Sequence, residues 1–311
     1  MSHPDAHFPL YAYFGHHKCA SIWIREIVSD VSTMLNFVVT HVSRAEDVPN
    51  GDLAGWLLRQ KPDFFLYSNA EVRHVPALGP LHGFHVVRDP RDLIVSAYFS
   101  HLYSHPVRMW PGLVEHRQRL QSLDETDGML LEIEYSAPVI ESILNWNYTN
   151  PDILEVHMED LVRSPYEGFM HIFEFLGLVR PTTRLVDPWG EMRTALATAF
   201  RQWRHNVHAR RVQQGAQAPT SDALGRKSAG LRRLRQRHLP PGHLLETVYR
   251  HRFETKTGGR TMGMENTHSH YRKGSPGDWV NHFKPVHVEA FKRRFGDGLV
   301  RLGYEKDNAW K

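Results

Sequence analysis

Leu10-Tyr11-Ala12-Tyr13-Phe14-Gly15-His16-His17-Lys18-Cys19-Ala20-Ser21-Ile22-Trp23 is the stretch that decides the fold. Its first five residues are apolar or aromatic and stop at Gly15, the pattern of a short buried strand. Trp23 then opens a stripe with Ile27, Val31 and Leu35, an apolar residue at every fourth position, which predicts an amphipathic helix. A strand that turns directly into a helix aims the unpaired N–H groups and the positive end of the helix dipole at whatever lies above the strand. Lys18 adds a full charge there, so the turn predicts a site for phosphate or sulfate.

The same alternation continues downstream. Residues 36–42, 64–66, 83–87 and 153–156 read as further strands, while Leu93, Ile94, Ala97, Tyr98 and Leu102, and then residues 140–146, have helical spacing. Repeated β-α alternation predicts one α/β domain over residues 1–311, with a P-loop-like, doubly wound, mostly parallel sheet and helices on both faces. Ligands of such sheets gather at the carboxyl ends of the strands.

Composition sets the bounds. The 311 residues are 41% hydrophobic and 11% aromatic, enough for a large core, and no apolar run reaches the length of a membrane span. The N-terminus has no basic stretch followed by an apolar core, so no secretory signal is expected. The lone cysteine, Cys19, excludes an intrachain disulfide, and a soluble protein of the reducing cytoplasm fits. A net charge of +4 with 22 histidines points to an anionic ligand. From residue 193 to 245 the only acidic residue is Asp222 among many arginines, which reads as an exposed insertion or a lid over an acidic ligand.

The Lys18 turn differs from a nucleotide-triphosphate loop. That loop needs Gly before its Lys and Ser or Thr after it to hold Mg²⁺, and here the neighbours are His17 and Cys19. His16, His17 and Cys19 are not expected to bind a metal, because adjacent residues of a tight turn point apart and no second ligand cluster has metal spacing. The small size of Cys19 filling the turn is the preferred reading, and a reactive thiol, beside Lys18 at a helix N-terminus, is the alternative.

Two more anion elements follow. In Val86-Val87-Arg88-Asp89-Pro90-Arg91-Asp92, Arg88 ends a strand, Asp89 caps, Pro90 suits the first helical position and Ser96 lies two turns in. In Arg272-Lys273-Gly274-Ser275-Pro276-Gly277-Asp278-Trp279, two cations stand beside glycines that let backbone N–H groups approach a ligand.

Three such elements in this order resemble the sulfotransferases that use 3′-phosphoadenosine 5′-phosphosulfate (PAPS). Lys18-Cys19-Ala20-Ser21-Ile22-Trp23 resembles their 5′-phosphosulfate loop, usually Lys-Ser-Gly-Thr-Thr-Trp, with Lys18 and Trp23 kept. Arg88 and Ser96 resemble their 3′-phosphate site. Arg272, Lys273 and Gly274, with Gly277-Asp278-Trp279, Asn281 and Phe283, resemble the closing motif Arg-Lys-Gly-x-x-Gly-Asp-Trp-x-Asn-x-Phe almost position for position. Glu159-Asp160-Leu161 is similar to a further family segment, and matches run from residue 11 to 283.

The resemblance implies transfer of a sulfuryl group from PAPS to a hydroxyl or amine of a small-molecule or glycan acceptor. Adenosine 3′,5′-bisphosphate (PAP) is released, without a metal, nucleic acid or membrane, and a homodimer is admitted. Lys18 would stabilise the leaving group, and the N–H groups of Ala20, Ser21 and Ile22 would hold the phosphosulfate. Trp23 and Phe253 would flank the adenine, although Trp23 also fits a core position. The chain departs from the family at the base, since Asn69 stands where small-molecule members carry a histidine. His41, at the end of the second strand, is the candidate base, with Glu71, His74 and His101 as alternatives. A metal-dependent P-loop kinase and a non-catalytic polyanion-binding protein are the competing functions.

Overall fold

The structure, a computed structural model, describes residues 10–108, 110–179 and 238–311. The arginine-rich stretch expected at 193–245 lies outside the described residues as far as 237.

Five strands, β1 (Leu10–Phe14), β2 (Val39–Val42), β3 (Phe64–Tyr67), β4 (Leu81–Val87) and β5 (Ile153–His157), form one sheet in the order β2-β3-β1-β4-β5. Every neighbouring pair is parallel. Parallel neighbours need crossovers, and helices supply them. α1 (Ser21–Met34) joins β1 to β2, α2 (Leu53–Gln60) joins β2 to β3, and β4 leads to β5 through α3 (Pro90–Phe99), α4 (Gly112–Gln121), α5 (Glu125–Tyr135) and α6 (Ala137–Leu144). The chain runs out from β1 to β2, returns through β3, and continues on the other side of β1 at β4. This reversal opens a crevice above the carboxyl ends of β1 and β4, where residues 15–20 and Arg88 lie.

Alternating side chains make the two faces. Tyr11 and Tyr13 pack with Phe64, Leu66, Phe84 and Val86 under Ile24, Ile27, Val28 and Val31 of α1 and Phe169, Ile172 and Phe173 of the helix Pro165–Phe175. Ala12, Phe14, Phe65 and Tyr67 face the other way, onto Leu53 and Leu57 of α2 and onto Trp146. A third cluster joins α3, α5 and α6 to the helix Pro285–Phe295. The parallel sheet with helices on both faces is therefore as the sequence predicts. β2 begins at Val39 rather than 36, because Asn36 turns left-handed (φ 56°) and the Phe37 N–H bonds the Ser32 carbonyl at 2.8 Å, closing α1. Among the described residues no helix is long and apolar enough to cross a membrane.

Candidate active site

Residues 15–20 form the floor of the crevice. Lys18 and Ala20 both take left-handed backbone (φ 66° and 59°), a conformation that costs a side-chain-bearing residue about 1–2 kcal/mol. Ala20 stands where the resembling loop carries glycine, the residue that adopts this conformation without penalty. Neighbouring bonds hold the strained turn. Arg88 Nη1 donates to the Lys18 carbonyl at 3.0 Å, the Tyr13 hydroxyl donates to Ser21 Oγ at 3.1 Å, and Ser21 Oγ donates to the His16 carbonyl at 3.3 Å. The Ser21 hydroxyl is thus committed to the loop, and its backbone N–H is what α1 offers a ligand.

Positive charge converges here. Burial, with Arg88 and Arg272 nearby, brings the Lys18 ammonium down to about 7, while Glu132 opposes the shift. Arg88 is 8% exposed, and its Nε is buried without a partner. Ser96 and Phe99 are the two residues of α3 that are not fully buried, and three positions apart they share a helix face. The Arg272 guanidinium lies 4.7 Å above the Phe99 ring, so Arg272 closes over the face that carries Ser96.

The closing motif divides its labour. Asp92 of α3 accepts from the Gly277 N–H at 2.5 Å and the Trp279 N–H at 2.9 Å, and Arg91 lies 3.9 Å beneath the Trp279 ring. Asp278 receives Arg272, Lys273 and Asn281 together. Burial would raise its carboxyl, yet the bonds from Lys273, Asn281 and Arg272 hold it well below the usual range. Arg272 also bonds Glu265, so both motif cations are fixed in place by carboxylates. Gly274 (φ 72°) admits no side chain, since a Cβ there would lie 2.5 Å from the Phe253 ring. Phe253 is therefore pressed against the motif. The segment around it is tied to α1 by Lys256 to Glu26 at 2.7 Å and His251 to Asp30 at 2.9 Å, on the helix face that carries Trp23. Trp23 also packs edge-on against Phe169, 5.1 Å between ring centres, so the ring borders both crevice and core.

No known family profile and no curated protein matches the chain. Among solved structures it is similar to a mouse sulfotransferase complexed with PAP, at 14% identity and a TM-score of 0.48 over 97% of this chain and 90% of that one. It is also similar to a retinol dehydratase in complex with androsterone and PAP, at 13% identity and a TM-score of 0.46 over 98% and 84%. A sulfotransferase from Alicyclobacillus acidocaldarius matches at 16% identity and a TM-score of 0.31 over 62% and 92%.

The base candidates fall in different places. His41 lies beyond β3 on the exposed edge of β2, bonded to Ser68 Oγ at 2.8 Å and Arg25 at 3.1 Å. Burial and Arg25, against Asp47, lower it to about 4. Glu71 is paired with Arg73 at 2.8 Å, and His74 bonds the Tyr67 hydroxyl at 2.9 Å. His101 stands against the loop itself, its Nε2 3.0 Å from His17 Nε2. Cys19 is fully buried, and burial pushes its thiol up to about 12, which fits the space-filling role preferred from the sequence over a reactive thiol.

The donor atoms of His101, His116 and Glu132 lie within 4.8 Å of one another. They are already bonded among themselves, His116 Nε2 donating to Glu132 at 2.8 Å and His101 Nδ1 lying 3.1 Å from both carboxylate oxygens, and form a hydrogen-bonded network. Sequence reading missed this network and the Asp278 clamp. The doubled His16-His17 before Lys18 was the available signal.

Proposed function

We propose that the chain is a sulfotransferase that passes the sulfuryl group of PAPS to a hydroxyl or amine of an acceptor and releases PAP. The observation that carries this reading is the convergence of Lys18, Arg88 and Arg272 on one crevice, around a loop whose residue after the lysine offers no hydroxyl to Mg²⁺. PAPS carries about four negative charges, which suit point-charge and fork cations set in this way. The N–H groups of Ala20, Ser21 and Ile22 hold the phosphosulfate. Arg88, Ser96, Arg272, Lys273 and Gly274 hold the 3′-phosphate, and Trp23 and Phe253 flank the adenine.

The acceptor attacks sulfur in line with the bond to the bridging oxygen. As that bond breaks, negative charge grows on the bridging oxygen and Lys18 neutralises it. A base removes the acceptor proton; of the groups expected from the sequence, His41 sits at the sheet edge on Ser68 and Arg25, and His101 stands against the loop through His17. Incubation with labelled PAPS and a panel of alcohols, phenols, amines and glycans tests the reading. Sulfated product and PAP are expected with one acceptor class, and neither product with any of them sinks it.

The depressed Lys18 gives a pH signature. In the empty site its charge is lost as pH rises through about 7, whereas a bound anion favours the charged form and raises its pKa. Above pH 7 PAP binding therefore takes up a proton, and affinity falls by up to about tenfold per pH unit until the bound-state pKa is passed. Calorimetry in two buffers of different ionisation enthalpy is expected to show uptake approaching one proton near pH 8. Zero uptake would place the titration of Lys18 elsewhere.

A further inference from the structure

His17 is joined end to end with a second histidine and a buried carboxylate. The rings of His17 and His101 are coplanar within 9° with centres 5.2 Å apart, and with Nε2 to Nε2 at 3.0 Å this is an in-plane hydrogen bond rather than a stack. His101 Nδ1 meets Glu132, which also accepts from His116 Nε2 at 2.8 Å and Ser136 Oγ at 2.6 Å. His101 sits on a π-helical turn, Ser100–Ser104, a form that recurs at functional sites. Arg117 pins that turn through the carbonyls of His101, at 2.5 Å, and His105, at 2.6 Å.

These bonds fix the protons. Burial would raise Glu132, but His101 and the bonds from His101, His116 and Ser136 bring it below its ordinary value, so it is a carboxylate that only accepts. With His101 uncharged, its proton lies on Nδ1 toward Glu132, which leaves Nε2 to accept from His17 Nε2–H. His17 is left with its lone pair on Nδ1, beside Lys18. We propose that His17 takes the acceptor proton at Nδ1 and that His101 and Glu132 are the positioning residues that hold it in the tautomer able to do so.

The proposal rests on the sulfotransferase reading. The acceptor oxygen or nitrogen bonds sulfur as the bond from sulfur to the bridging oxygen breaks and PAP leaves. The acceptor proton goes to His17 Nδ1, the Nε2 proton of His17 is shared with His101, and Glu132 stays charged to balance the imidazolium. Burial first, and then the charges of Lys18 and Arg44, keep His17 uncharged in the empty site, where His101 and His105 also face it. A donor phosphosulfate on Lys18 offsets that part of the repulsion, so basicity rises once the donor is seated. A parallel chain, His16 to His85 at 2.8 Å and His85 to Glu155 at 2.6 Å, is set the other way. Burial raises Glu155 to about 8, so it keeps its proton and donates its O–H to His85 Nδ1, which leaves His85 Nε2–H to donate to His16 Nε2 and the proton of His16 on Nδ1.

The test follows PAP release from saturating PAPS, with the best acceptor of the panel and with water alone. His17→Ala and His101→Gln are expected to lower the rate at least tenfold, with KM for PAPS and the PAP-induced thermal shift within twofold of wild type. Added imidazole restores part of the His17→Ala rate, and Glu132→Gln shifts the acidic limb of the pH–rate profile. If Glu132→Gln does not fold, the two histidine variants carry the test. A wild-type rate in His17→Ala, a loss confined to KM, a fall with His41→Ala in its place, or stoichiometric zinc bound through Glu132 overturns the proposal. A wild-type protein that binds PAP but never releases it from PAPS does so too, leaving donor binding intact. Failure to bind PAP at all overturns the sulfotransferase reading itself.

Discussion

Replacing Lys18 with methionine is expected to lower PAP release from saturating PAPS by about 10²- to 10³-fold, the cost of removing a preorganised donor aimed at developing charge. The protein should lose no stability. Lys18 is a partly buried cation that Arg88 and Arg272 repel and Glu132 attracts, and the methionine side chain fills similar space without the cost of desolvating a charge. An unchanged or higher Tm with a collapsed rate is the signature of a residue kept for chemistry at the expense of the fold. Thermal unfolding and single-turnover kinetics on the same preparation check both halves. A rate within tenfold of wild type would remove Lys18 from the reaction.

The second large effect is on donor binding. Arg88→Met is expected to weaken PAP binding about 100-fold, from roughly 2–3 kcal/mol of charge-assisted hydrogen bonding. Arg88 offers a buried, unpartnered Nε to the crevice and ties down the strained Lys18 carbonyl at 3.0 Å. Unlike Lys18→Met, this variant should also lower Tm, because the left-handed turn loses its anchor. Arg88→Lys should not restore affinity, since an ammonium cannot both hold the carbonyl and present a fork. Calorimetry of PAP binding to the three proteins decides it, and an affinity within threefold of wild type for Arg88→Met would contradict the assignment.

The fold was legible where local chemistry is unambiguous. An apolar run that ends at glycine marked β1, and the stripe of Trp23, Ile27, Val31 and Leu35 marked α1. The boundary missed at β2 depends on Asn36 adopting a left-handed turn, which short polar residues allow but do not announce. The cations of the site were legible as residue types, since Lys18, Arg88 and Arg272 each sit beside a helix start or glycine turn. Their partners were not. Asp278 was one letter of a motif until the structure placed it under Arg272 and Lys273, and His101 meets His17 across 84 residues. No periodicity reports such a contact. At Cys19 the helix N-terminus and Lys18 would favour a thiolate, and complete burial outweighs both, in line with the space-filling reading the sequence prefers.

On the proposed reading the crevice recognises a 3′-phosphorylated adenosine donor without a metal, and metal-free binding tests this most directly. Titration of PAP into the protein in the presence of EDTA is expected to give saturable binding and a raised Tm, with adenosine 5′-monophosphate binding at least tenfold more weakly for want of the 3′-phosphate held by Arg88, Ser96 and Arg272. Absence of PAP binding, or stabilisation by ATP only when Mg²⁺ is supplied, would contradict it.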